Sequence, residues 1–177
     1  MSRPLRLVVT GGESAGKTSL ARLLARELNA PLSEEFSRLY AESHDGPLLE
    51  SDVAPIARGQ IAMEDAVLRR AGRLAIHDTD LLSTVVYSRH YYGSCAGWIR
   101  EAAFARVADL YLLCAPDLPW EADGVRDRPE ARTELHRLFA EVLEEAGANA
   151  VLVSGLGEAR HDVARAAARA LLQGRPA

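Results

Sequence analysis

The chain has 177 residues, of which 48% are hydrophobic and 26% are charged, so it carries enough apolar sequence for one buried core. Its formal net charge of -4 argues against a nucleic-acid-binding surface, because such surfaces concentrate positive charge. No apolar run reaches the ~20 residues of a membrane span, and Cys95 and Cys114 are too far apart for a zinc or redox motif. We therefore expect one cytoplasmic domain over residues 1–177, without a nucleic-acid or membrane partner. Whether it forms a homo-oligomer stays an open question.

The first predicted unit is a strand, a glycine-rich loop and a helix. Residues 5–10 are mostly apolar, and residues 18–29 carry apolar side chains at helical spacing. The loop between them reads GGESAGKTS and fits the pattern G-x-x-x-x-G-K-[ST], in which backbone N–H groups surround a polyphosphate. We expect all of its residues to bind ATP: Gly11, Gly12, Glu13, Ser14, Ala15, Gly16, Lys17, Thr18 and Ser19.

Two side chains of this loop have predicted chemical roles. Lys17 is the only lysine in the chain, and we expect its compact ammonium, at an exposed site, to contact the outer phosphates and act in catalysis. The hydroxyl of Thr18 is expected to bind Mg²⁺. The motif therefore predicts ATP and Mg²⁺ as the cofactors.

Strands and helices alternate along the rest of the chain. Four further strands are predicted at residues 30–36, 74–77, 108–115 and 150–153. Helices are predicted at residues 38–43, with Ser37 as the N-cap, and at 51–73, 81–92, 98–107, 129–145 and 158–172. Five strands separated by helices indicate an α/β fold, a five-stranded parallel sheet with helices on both faces.

Such sheets bind ligands beyond the carboxyl ends of their strands. Asp78 directly follows the third predicted strand and is expected to hold Mg²⁺ opposite Thr18. Asp80 would point the same way in an extended chain, so it is a candidate for the metal, the acceptor or catalysis; the alternative is an N-cap for the helix at Leu81. Gly155, after the last strand, is expected to contact the nucleotide.

Acidic and basic residues elsewhere complete the predicted site. At the end of the second strand, Glu35 is expected to accept the proton of an attacking hydroxyl and Arg38 to stabilise the transferred charge. The alternative for both is a solvated surface pair. In the loop at 120–128, Arg126 is the first candidate for a catalytic lid arginine and Arg128 is a candidate nucleotide ligand; Arg132, in the predicted helix that follows, is a weaker candidate.

These motifs exclude some classes of phosphate-loop protein. A GTPase of the ordinary type reads guanine with an N-K-x-D motif, which needs a second lysine that the chain lacks. Ring-forming ATPases need more subdomains than this length allows. A small-molecule kinase and a regulatory module that hydrolyses ATP slowly remain as alternatives.

Four stretches carry a resemblance to a known family: GGESAGKTSLA, SEEFSRLY, DTDLLSTVVYSRHYYG and WEADGVRDR. Together they resemble the ribosylnicotinamide kinase domain of the bacterial bifunctional NAD-biosynthesis regulators, over about residues 5–172. The resemblance implies a P-loop NTPase fold of the nucleoside-kinase type, with a lid. It implies transfer of the ATP γ-phosphate to the 5′-hydroxyl of nicotinamide riboside, with Mg²⁺.

The resemblance also implies roles for individual residues. Tyr91 and Trp120 fall where the family faces the pyridine ring, and where the family has an acid after its arginine this chain has Leu39-Tyr40. No H-x-G-H motif and no helix-turn-helix is found, so we expect neither completion of NAD synthesis nor repression of transcription. Another nucleoside kinase and a non-catalytic ATP sensor stay open. The substrate-binding candidates are Glu35, Asp80, Tyr91 and Trp120.

Overall fold

A computed structural model describes residues 3–119 and 131–174 of the chain. Its strands are β1 (Leu5–Thr10), β2 (Leu32–Ser33), β3 (Leu74–Asp78), β4 (Leu110–Cys114) and β5 (Ala150–Val153). They form one sheet in the order β2-β3-β1-β4-β5, and every neighbouring pair is parallel. The expected five-stranded parallel sheet is therefore confirmed, with the strand that precedes the glycine-rich loop at its centre.

The helices of the described residues connect these strands. They are α1 (Lys17–Glu27), α2 (Phe36–Glu42), α3 (Val53–Arg70), α4 (Leu81–Tyr92), α5 (Gly97–Phe104), α6 (Ala131–Glu145) and α7 (Gly157–Gln173), and a 3₁₀ turn (Glu50–Asp52) precedes α3. In residues 3–119 and 131–174, we find no helix with both the length and the apolar character of a membrane span.

The predicted bounds differ most from the structure around the second strand. Strand β2 has only two residues, and helix α2 begins at Phe36 with Glu35, not Ser37, as its N-cap. The hydroxyl of Ser37 instead donates a hydrogen bond to Glu35 Oε1 at 3.1 Å. Because the helix begins early, Glu35 lies in the turn between β2 and α2, two residues after the strand ends.

Side chains of β1 alternate between two hydrophobic cores. Leu7 packs on one face of the sheet with Leu24 of α1 and Ala164 of α7. Val8 packs on the other face with Phe139 of α6. Because successive side chains of a strand point to opposite faces, helices are needed on both sides, as the sequence predicted.

Helix α2 approaches α3 closely at a glycine. A Cβ added at Gly59 would lie only 2.0 Å from the Phe36 ring, so the ring occupies the space that a side chain would need. The backbone N–H of Phe36 donates to Gln60 Oε1 at 3.1 Å. These two contacts fix the first turn of α2, and with it the position of Glu35.

Replacing Gly59 by alanine should displace Phe36 and destabilise the protein. Because the added Cβ would meet a ring only 2.0 Å away, we expect an overpacking cost toward the upper end of about 1–3 kcal/mol, of which about 1–2 kcal/mol remains after the gain in helix propensity. We expect the melting temperature to fall by about 2–8 °C in a thermal unfolding experiment. The matched control is Gly97→Ala in the first turn of α5, where no atom lies within 4 Å of an added Cβ. A Gly59→Ala protein as stable as this control would contradict the close packing.

Candidate active site

The glycine-rich loop turns tightly between β1 and α1. Gly11 has a φ of 136°, and a Cβ there would lie 2.8 Å from the carbonyl oxygen of Cys114 in β4. Gly16 has a φ of 74° and caps α1, and a Cβ there would lie 2.7 Å from Leu118 Cδ1. Both positions need glycine, because the backbone is in the left-handed region and its neighbours leave no room.

Lys17 begins helix α1 and folds back over the loop. Its ammonium donates a hydrogen bond to the carbonyl oxygen of Gly12 at 2.8 Å. The residue is only 7% exposed, so the expectation of an exposed lysine is wrong. The side chain is buried because its own loop wraps around it, which holds the positive charge beside the backbone N–H groups.

The next residue along α1 connects the loop to β3. The hydroxyl of Thr18 donates to Asp78 Oδ2 at 2.6 Å, while Oδ1 of Asp78 is buried and has no hydrogen-bond partner. Burial raises the pKa of Asp78; the hydrogen bond from Thr18 lowers it, the charge of Glu35 raises it, and Lys17 and Arg38 lower it. Thr18 thus contacts Asp78 directly, and the charges of Glu35, Lys17 and Arg38 act on the same carboxyl group.

The residues at this point fit a magnesium ion. Mg²⁺ prefers oxygen ligands and is usually bound by one or two carboxylates together with waters and substrate phosphates. Asp78 offers a buried carboxylate oxygen without a partner, and Thr18 offers a hydroxyl beside it. The pair therefore has the donor set that the sequence predicted for the metal.

Glu35 is oriented by its neighbours in the first turn of α2. Its carboxylate accepts from Ser37 Oγ at 3.1 Å and lies 3.9 Å from Arg38 Nη2. The Glu35 side chain is 15% exposed, whereas Arg38 is largely in solvent. A partly buried carboxylate can accept a proton and an exposed guanidinium beside it can neutralise negative charge, so both catalytic roles stay predictions.

Asp80 does not point where the extended-chain prediction placed it. Thr79 has a φ of 63°, which reverses the chain between the two aspartates. Asp80 is 2% exposed; it accepts from the N–H of Leu82 as the N-cap of α4 and from the hydroxyl of Tyr111 at 2.7 Å. The alternative stated for this residue, a helix cap, is the one that its contacts favour, because both carboxylate oxygens already have partners.

The other predicted ligands are less closely tied to the loop. Gly155 has a φ of 91°, and its N–H donates to Asp117 Oδ2 at 2.6 Å. Tyr91, half-exposed near the end of α4, stacks on Tyr87 with ring centroids 6.1 Å apart. Nη1 and Nη2 of Arg132 both donate to the carbonyl oxygen of Leu118 at 3.1 Å, which ties the start of α6 to the segment after β4. Three predicted residues lie outside the described part of the chain: Trp120, Arg126 and Arg128.

Sequence reasoning missed two buried polar groups. Arg160 in α7 is 4% exposed and bonds to backbone carbonyls, including that of Ala15 in the loop. Glu64 in α3 is fully buried. The sequence does not mark either residue as buried, because charged residues are common on helices. For Glu64 there is one hint: Arg6 is a charged residue inside an apolar strand, and it donates to Glu64 Oε2 at 2.9 Å.

Glu64 joins the starts of two helices at the site. Its Oε1 accepts from Gln60 at 3.2 Å and from the N–H of Leu81 at 3.1 Å, and Gln60 in turn holds the first N–H of α2. The pKa of Glu64 is raised to about 7, mainly by burial and also by the charge of Asp80, while the charges of Arg6 and Arg106 act in the opposite direction. The carboxyl is thus buried at a place where its charge is costly.

The titration of Glu64 predicts a pH dependence of stability. The unfolded carboxyl releases its proton near 4.5 and the folded one near 7, so the folded state holds more protons between these values. The free energy of unfolding should therefore fall by roughly 1–3 kcal/mol as the pH rises through this window. Glu64→Gln cannot release a proton, and we expect that variant to lose this part of the fall.

Urea unfolding at about pH 4.5 and about pH 7.5 measures this difference. Arg6 loses an ionic partner in Glu64→Gln, so the variant is less stable overall, and only its pH dependence is informative. The control is Glu141→Gln, which removes an exposed carboxylate paired with Arg137 on α6. If Glu64→Gln shows the same pH dependence as the unmodified protein, the raised pKa is wrong.

Comparison with known proteins places this geometry in a family. Residues 6–160 match the family model described as an AAA domain, and the chain therefore belongs to this family of P-loop proteins. Over 145 residues the chain is 32% identical to the trifunctional NAD biosynthesis/regulator protein NadR of Escherichia coli (strain K12). The match covers 78% of this chain and 35% of that protein, so the chain spans about a third of its curated relative.

Solved structures agree with this relationship. A NadR protein in complex with NR superposes with a TM-score of 0.80 at 28% identity, over 92% of this chain and 50% of that one. A NadR protein in complex with NAD and AMP-PNP gives 0.81 at 26% identity, over 98% and 51%. Thymidylate kinase from Ehrlichia chaffeensis, at 15% identity and a TM-score of 0.68, covers 96% of this chain and all of its own and shares the fold. The resemblance and the P-loop kinase fold predicted from the sequence are confirmed.

Proposed function

We propose that the chain transfers the γ-phosphate of ATP to the 5′-hydroxyl of nicotinamide riboside, giving nicotinamide mononucleotide and ADP. The observation that carries this proposal is the position of Asp78, which bonds to Thr18 of the phosphate loop and lies within electrostatic reach of Glu35. In this proposal Asp78 lies between a nucleotide-binding half and an acceptor half of the site. The NadR complexes with NR and with AMP-PNP support the same two ligands.

The nucleotide-binding half consists of the loop and the start of α1. Its N–H groups and the positive end of the helix favour the triphosphate, and Lys17 supplies a charge that neutralises the transferred group. Thr18 and Asp78 would hold Mg²⁺, which when bound offsets the charge on the β- and γ-phosphate oxygens. Arg126 and Arg128 lie outside the described residues, and we include them in this half from the sequence alone.

The acceptor half centres on Glu35. Its carboxylate accepts the proton of the 5′-hydroxyl as that oxygen forms a bond to the γ-phosphorus, and the bond from this phosphorus to the bridging oxygen of ADP breaks. Arg38 neutralises charge beside the carboxylate. Tyr91 and Trp120 are proposed to stack on the pyridine ring, whereas Asp80 acts through the fold as a helix cap. Both halves belong to one sheet, so one domain suffices for the reaction.

A panel of nucleosides tests the acceptor. With labelled ATP and Mg²⁺, we expect phosphate transfer to nicotinamide riboside with a kcat/KM at least about 100-fold above those for uridine, cytidine and thymidine. A faster reaction with one of these three would replace the proposed acceptor by another nucleoside. ATP hydrolysis that no nucleoside stimulates, together with affinity for a protein, would instead favour the regulatory module.

Substitution of Glu35 tests the base. Glu35→Gln should lower kcat by about 10²–10⁴-fold with little change in the KM for ATP, because the amide cannot accept the proton. Steady-state kinetics at saturating ATP measure this. The control is Glu34→Gln next to it, an exposed carboxylate paired with Arg22, which should leave kcat unchanged. An effect of Glu35→Gln on the KM for the nucleoside alone would make Glu35 a ribose-binding residue.

A further inference from the structure

One buried guanidinium links the phosphate loop to the ends of two strands. Nη2 of Arg160 donates to the carbonyl oxygens of Ala15 at 2.6 Å and of Ala115 at 3.2 Å. Nη1 donates to Asp117 Oδ1 at 2.7 Å and to the carbonyl oxygen of Gly155 at 3.2 Å. Arg160 thus bonds to the loop, to the residue after β4 and to the turn after β5 at once.

The hydrogen bond to the carbonyl oxygen of Ala15 fixes the orientation of one peptide group of the loop. In a trans peptide the C=O and N–H groups point in opposite directions, so a carbonyl held toward Arg160 turns the N–H of Gly16 away from it. Nε of Arg160 lies 4.0 Å from the position a Cβ would take at Gly16, so the guanidinium packs directly behind this peptide. The Gly16 N–H belongs to the run that the motif aims at phosphate oxygens.

We infer that Arg160 is a positioning residue for the triphosphate: it holds the peptide between Ala15 and Gly16 with its N–H directed into the phosphate-binding concavity. The inference rests on the proposed function in taking ATP as the ligand. Arg160 touches the loop from behind through a carbonyl, so it acts through the backbone. Its positive charge also adds to the potential of the anion site from that side.

Arginine suits this position for a geometric reason. Four acceptors are reached from two nitrogens of one planar group, whereas a lysine ammonium is a point charge that cannot span them. The charge is balanced on one side by Asp117, whose second oxygen holds the N–H of Gly155. The same network therefore fixes the spacing between the loop and the turn at Gly155, which is predicted to contact the nucleotide.

Binding of inorganic tripolyphosphate separates the effect of Arg160 on the phosphate loop from its effect on the Gly155 turn. Calorimetry should show that Arg160→Gln weakens tripolyphosphate and AMP-PNP by a similar factor, about 10- to 100-fold, while the KM for nicotinamide riboside stays unchanged. The control, Arg165→Gln, removes an arginine of the same helix that pairs with Glu27 and Glu158, and should change neither affinity. A general loss of structure would also raise the KM for the acceptor.

Two outcomes would overturn the inference: unchanged affinity for both ligands, or a loss for AMP-PNP with none for tripolyphosphate, which would confine Arg160 to the Gly155 turn. If circular dichroism shows that Arg160→Gln is unfolded, Arg160→Lys decides, because it keeps the charge and the packed stem but not the fork. Weakened tripolyphosphate binding by the lysine variant supports positioning, and unchanged binding overturns it. Both affinities are measured without an acceptor, so an error in the proposed acceptor would remove the KM measurement but not change the two affinities that decide the inference.

Discussion

The hydrogen bond from Thr18 to Asp78 is the interaction on which the candidate site depends. It exists because β1 and β3 are parallel neighbours, with Val9 in register with Asp78. Both strands then end on the same side of the sheet, where β1 leads into the phosphate loop and β3 leads into the turn at Thr79. This register explains why the Asp78 carboxylate lies beside the Thr18 hydroxyl. Glu35 follows β2, which pairs with β3 in parallel with Ser33 opposite His77.

Residues whose role depends on local pattern were predictable from the sequence. The spacing of Gly11, Gly16 and Lys17 identified the loop, and the apolar run before Asp78 identified the strand that delivers it. Alternation of strands and helices identified the parallel sheet, because most of the strands are predominantly apolar segments. These features need no knowledge of distant contacts.

The features that the sequence did not predict depend on backbone conformation or on contacts between distant segments. A single left-handed residue, Thr79, turns Asp80 away from Asp78, and threonine is not a residue expected to adopt that conformation. Lys17 is buried by its own loop, which spacing alone does not reveal. Arg160 meets Ala15 across 145 positions of sequence, so only the folded chain brings them together. Burying such charges is costly unless they are paired, and both Arg160 and Glu64 use their bonds to hold backbone at the site.

The most direct test of this account is a crystal structure of the protein with AMP-PNP, Mg²⁺ and nicotinamide riboside bound together. The account predicts the triphosphate inside the loop of residues 11–19, with its γ-phosphorus facing the 5′-oxygen and the Glu35 carboxylate within hydrogen-bond distance of that oxygen. A nucleotide bound away from this loop, or a ribose bound at the opposite end of the strands from Asp78, would contradict it.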